Sequence, residues 1–153
     1  MSSVRERLQA MPKVDAHHHL WDLAMGKHPW LIPPVTPRMY GDHTPICKDY
    51  LIDDFRRDSA PHNVVKSVHV QAKLSGPGMV APDWTADSFA PFIHATIELF
   101  GPARCMFASN VPPDAIYKTF DDIYAGFYAW SERYTEAEQR ALFHDTASRF
   151  YRL

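Results

Sequence analysis

The chain has 153 residues, enough for one compact domain, with 46% hydrophobic and 22% charged residues, which excludes a disordered or fibrous chain. Its 16 Lys plus Arg against 18 Asp plus Glu give a net charge of -2, too balanced to point to nucleic acid or an anionic membrane surface; a small-molecule ligand is the expected partner. No apolar run approaches a membrane span, and the opening "MSSVRERLQAMPK" lacks the apolar core of a secretory signal, so a cytoplasmic location is expected.

After a polar lead and Pro12, "KVDAHHHLW" alternates as a short strand does and is expected to end near Trp21. Residues 27–47 hold many prolines and read as a long loop. "YLIDDFRRDSAPH" is a short amphipathic segment closing at Pro61, and the valine-rich "NVVKSVHVQAKL" is the best strand, stopping at "SGPG", which reads as a loop. Residues 82–100 read as a loop and a helix with Pro91 in its first turn and Gly101 at its end. "RCMFASN" is predicted to be a strand and "VPPD" a turn. Two helices close the chain, the second opened by a capping box of Thr135 and Glu138. Strands alternating with helices predict an α/β fold with parallel strands. Cys47 and Cys105 lack any CxxC spacing, which argues for free thiols over a disulfide or a Cys-ligated metal.

In a strand His17 and His19 share one face while His18 points the other way. Two imidazoles two residues apart can chelate a divalent ion, but HxH supplies two of the roughly three protein ligands of a catalytic zinc site. Packed or surface histidines account for the bare pattern more readily than a metal site. Asp15 and Trp21 fall on the same face, an acidic neighbour and a large wall.

"VDAHHHLWD" followed by "HPWL", "YLIDDFRRD", "NVVKSVHVQA", "KLSGPGM", "RCMFASNVPPD" and "LFHDTASRFYRL" resembles, in that order, the amidohydrolase-related hydrolases, in the branch of the pyrone dicarboxylate lactonases and fuconolactonases. The resemblance implies a (β/α)8 barrel with His17 and His19 as metal ligands on its first strand. It implies a divalent metal, zinc above all, that polarises a substrate carbonyl or activates water for attack on a lactone or carboxylic ester. Such a barrel takes about 250 residues. In the family "VHVQA" ends the second strand and "KLSG" belongs to a later one, whereas here Ala72 meets Lys73 directly. The expected fold is therefore a partial barrel lacking its central strands, a single domain over 1–153 with 1–72 matching the barrel's N-terminal part and 73–153 its C-terminal part.

The last-strand position that carries an aspartate in many members holds Asn110, and an amide cannot act as a general base. Asp114 is the nearest carboxylate, either a functional substitute or a turn residue. His69 and Gln71 share a strand face and, with Trp21, are the candidates for substrate contact; His94 and His144 read as packing or surface residues. The functional alternatives are a metal-dependent hydrolase and a catalytically impaired barrel fragment without hydrolase activity. Strand edges left open by the missing strands predict self-association.

Overall fold

The computed structural model describes residues 3–26, 28–36, 41–69 and 83–153. Helix α1 (Val4–Ala10) is opened by a capping box between Ser3 and Glu6 and leads into strand β1 (Lys13–His18). Two short 3-10 turns, Pro29–Leu31 and Thr44–Ile46, punctuate the proline-rich loop. Helix α2 (Ile52–Ser59) and a 3-10 turn at Ala60–His62 precede strand β2 (Val64–His69). Then follow helix α3 (Ala86–Phe100), a 3-10 turn at Pro113–Ile116 and helix α4 (Phe120–Ser131). A closing helix runs through α5 (Glu136–Arg140), a wide π turn at Ala141–Asp145 and α6 (Thr146–Tyr151).

β1 and β2 pair in parallel, as expected for an α/β fold. Their register slips between Asp15 and His18: Asp15 faces Ser67 and His18 faces His69, so β1 holds one extra residue there, a β-bulge. The expected extension of β1 to Trp21 does not form. The His19 N–H goes instead to Val111 O (2.6 Å), and Trp21 pairs antiparallel with Tyr50. The "RCMFASN" segment forms no regular strand, but it runs in the same direction along the other side of β1. Asn110 N donates to His17 O (2.8 Å), one step before the His19 to Val111 bond. The order across β1 is thus β2, β1, residues 109–111.

The other sequence expectations fare unevenly. Pro91 lies in the second turn of α3, because Thr85 and Ser88 form a capping box that starts the helix five residues earlier. Gly101 ends α3 at φ 80°, and Thr135 and Glu138 cap α5, both as read from the sequence. Cys47 and Cys105 are free thiols. Gln71 and the "SGPG" segment lie outside the described residues. No helix of the described residues is long and apolar enough to cross a membrane.

The core is built from aromatic rings. α4 buries Phe120, Ile123, Tyr124, Phe127, Tyr128 and Trp130 against Trp84, Phe55 and Phe143. Gly126 lets the Trp84 ring pack closely, since a Cβ there would stand 3.3 Å from that ring. His62 is buried in this core between Tyr128 Oη (2.8 Å) and Asp121 Oδ1 (2.7 Å), which ties the approach to β2 onto α4. The π turn aims the Leu142 carbonyl at Phe107 N (2.9 Å), stitching the closing helix to the segment beside β1.

At the foot of β1 the Lys13 side chain is fully buried. Its Nζ donates to the carbonyls of Leu8, Gln9 (3.2 Å) and Met11 (2.8 Å), capping the end of α1, and sits 5.4 Å from the centre of the Tyr128 ring. Burial pushes its pKa from 10.5 down to about 8. Below the lower value both folded and unfolded chains carry the proton, and the cost of the buried charge is fully present. Between the two values the folded chain loses its proton first, so Lys13 makes stability rise with pH, by up to about 3 kcal/mol. Urea unfolding of the parent and of Lys13→Met at neutral pH and at the upper end of this window measures the difference; the variant lacks this rise, and parallel pH profiles would contradict the assignment.

Candidate functional site

The bulge in β1 shapes the site. His18 points away from it, stacked on Phe55 with ring centres 4.1 Å apart and with Nδ1 3.0 Å from Val68 O. His17 and His19 turn toward one another: their Nε2 atoms are 3.2 Å apart and their rings stand at 82°. Two imidazole nitrogens at this distance share either a proton or a cation. A tetrahedral zinc ion with Zn–N bonds of about 2.0–2.1 Å holds its nitrogen ligands about 3.3 Å apart, so the separation is compatible with one shared ion. Burial lowers the His17 pKa below the ordinary 6.5, with the Asn110 side chain opposing the shift, which favours the neutral imidazole that can ligate.

Asn110 reaches this pair because residues 109–111 are bonded along β1. It adopts a left-handed backbone (φ 52°), a conformation Asn tolerates better than most residues, and is buried. Its Nδ2 donates to Asp114 Oδ1 (2.8 Å), while Oδ1 is buried without a well-formed hydrogen bond beside the His17 ring. Asp114 is buried too and is no solvated turn residue, although it sits in the first turn of a 3-10 helix. Among the described residues no three His, Cys, Asp or Glu converge as a metal-binding group. The donor set in hand is thus two imidazole nitrogens with an amide oxygen nearby, which fits a weakly held divalent ion and lacks a carboxylate ligand.

The remaining candidates sit apart. Trp21 is 4% exposed; its Nε1 donates to Lys48 O (2.9 Å) and its ring packs edge-on to Trp30 and roughly parallel to His19, 6.4 Å between centres. It backs His19 and is no open wall. His69 ends β2 opposite His18. His94 pairs with Tyr134 Oη (3.0 Å) and His144 with Asp145 (2.7 Å), the packing roles expected of them.

Asp15 is a further residue of the site that the sequence marks only by its place on the histidine face. The carboxylate is fully buried, its Oδ1 accepts from His17 N (3.1 Å) and Ser109 N (3.0 Å), and burial pushes its pKa up to about 6 against the pull of Ser109 and of the His17 amide. A buried carboxylate that serves two main-chain amides has no sequence signature beyond its place on the histidine face.

Asp114→Ala leaves the buried Asn110 amide without its acceptor and is expected to cost about 1–3 kcal/mol in urea unfolding. A loss within about 0.5 kcal/mol, as for an exposed turn residue, would show that the pairing does not matter.

A family profile described as amidohydrolase matches residues 64–153, a segment that begins after the histidine pair and includes Asn110 and Asp114. An uncharacterized protein, y4mH, of Sinorhizobium fredii is 37% identical over 94 residues, 61% of this chain and 32% of that protein. The L-fucono-1,5-lactonase of Burkholderia multivorans is 33% identical over 93 residues, 56% of this chain and 31% of that protein. No solved structure matches. The chain spans about a third of the length of these two relatives. With more than half of its residues matched by that profile, this chain belongs to the amidohydrolase family.

Proposed function

We propose that the chain is a metal-dependent hydrolase acting on a lactone or related carboxylic ester, with His17 and His19 as ligands to a divalent ion, zinc in the first instance. The observation that carries this reading is the 3.2 Å approach of the two Nε2 atoms. The ion, when bound, supplies polarisation of the substrate carbonyl or a water of lowered pKa. His17 and His19 present lone pairs, Trp21 stiffens His19 from behind, and Asn110, anchored by Asp114, offers an amide oxygen beside His17. Asn110 can orient a substrate or water but cannot accept a proton as a base, so proton removal falls to Asp114, the adjacent carboxylate. His69 and Gln71 complete the proposed substrate contacts. Family membership and the fuconolactonase relative support the substrate class.

With two imidazoles in the donor set, zinc binds weakly. Calorimetric titration should show one weak site that disappears in the double variant His17→Ala/His19→Ala. Lactone hydrolysis, followed in the same samples, should be slow, should be lost in the double variant and should not be made brisk by Asn110→Asp. Undiminished zinc binding by the double variant refutes the ligand assignment.

A second reading, an impaired fragment of a (β/α)8 barrel joined at Ala72 and Lys73, draws support from two observations. In a closed barrel the first strand lies between the second and the last, the order found here for β2, β1 and residues 109–111. The chain is also far shorter than its two relatives. On this reading the outer edge of β2 and the exposed Phe92 (68%), Leu99 (73%) and Phe150 (70%) are surfaces that a whole barrel would cover, and the chain self-associates through them. Sedimentation velocity at several concentrations should show growing association; a sharp monomer at all concentrations that binds no hydrophobic dye would reject this reading.

A further inference from the structure

Asp15 is a buried carboxylate with a specific geometric task. His17 has no partner in the β1 to β2 register; its C=O faces the segment on the other side of β1, and the main-chain bonding of that segment to β1 begins at Asn110 N to His17 O. The amides of His17 and Ser109 would therefore lie buried without a carbonyl to receive them. One oxygen, Asp15 Oδ1, accepts from both, at 3.1 and 3.0 Å. The three links from Asp15 to Ser109, from His17 to Asn110 and from His19 to Val111 climb the two segments together, and the first has a side chain standing in for a strand carbonyl.

We infer that Asp15 is a positioning residue for the candidate metal site, whose Oδ1 fixes the His17 main chain and the Asn110 segment relative to each other. Its effect on ion binding rests on the metal-pair reading above; its role in placing the two segments does not. The task calls for an acceptor oxygen facing the two amides, with the Ser109 side chain as a further donor, and does not require a negative charge. Asparagine presents the same oxygen in the same place, whereas its reversed rotamer would set an NH2 against two N–H groups. Alanine presents nothing.

The test compares Asp15→Asn and Asp15→Ala with the parent by two readouts: amide hydrogen exchange at His17, Ser109 and Asn110 in the metal-free protein, and titration with cobalt(II) followed by its visible absorption. Asp15→Asn should keep the parental exchange protection and cobalt spectrum. Asp15→Ala should lose protection at the three amides and bind cobalt(II) roughly ten- to a hundredfold more weakly, as when a group that orients a ligand is removed. Should Asp15→Ala fail to melt cooperatively, Asp15→Asn decides alone: parental behaviour supports the inference, and loss of cobalt binding in a cooperatively folded Asp15→Asn overturns it by showing that the charge is what matters. Parental protection and affinity in Asp15→Ala also overturn it. If the parent itself binds no cobalt(II), the metal-pair reading fails, and the exchange pattern of the two variants still decides whether Asp15 positions the segments.

Discussion

The structure depends on β1 being bonded along both of its sides. β2 takes one side in parallel register and residues 109–111 take the other. Much of the candidate chemistry among the described residues lies along this line: the buried ammonium of Lys13 at its foot, the Asp15 carboxylate in the middle, and the imidazoles of His17 and His19 toward its end. A strand held on two sides gains rigidity without long ladders, which suits a sheet with only two regular strands among the described residues. Rigidity is what a two-imidazole chelate needs, because each freely rotating ring would lose conformational freedom on binding an ion.

The aromatic core serves the same strand from beneath. Phe55 stacks on His18 and so turns the middle histidine away from its neighbours. His62, clamped by Tyr128 and Asp121, fixes the point at which the chain enters β2, while the Asn63 side chain reaches back to Ala10 O (2.6 Å). Polar groups buried in this way are costly unless partnered. Here the partners come from distant parts of the sequence, so the polar contacts also specify which segments meet.

Much of this was legible in the sequence, for identifiable reasons. The parallel strands, the Thr135 cap and the Gly101 stop follow local rules of periodicity and capping, and those rules held. The likeness of "RCMFASNVPPD" and its neighbours to the amidohydrolases also pointed to the right family. The bulge in β1 was not legible, because one extra residue leaves the apolar pattern of "KVDAHHHLW" unchanged. The strand ends at His18, and Trp21 lies buried with its ring behind that of His19. Nor was the weak strand character of residues 105–110, where bonds to the closing helix and to Asp15 replace a ladder. Asp114, expected to be either a functional substitute or a turn residue, sits in a turn, but its pairing with the Asn110 amide was not legible, because a left-handed backbone at Asn110 that composition does not reveal accompanies it.

The π turn at Ala141–Asp145 carries a consequence for variation in this chain. A helix with one wide turn holds one residue more than a regular helix of the same rise, so the faces of α5 and α6 are out of phase by about a hundred degrees. Thr135 to Gln139 and Thr146 to Phe150 therefore follow separate periodicities, and a single heptad pattern drawn through both would assign one of them to the wrong face. Removing one residue from the wide turn would let the helix run regularly, but it would swing α6 around its axis and move the Leu142 carbonyl away from Phe107. A one-residue deletion here is thus a rotation of a whole helix end.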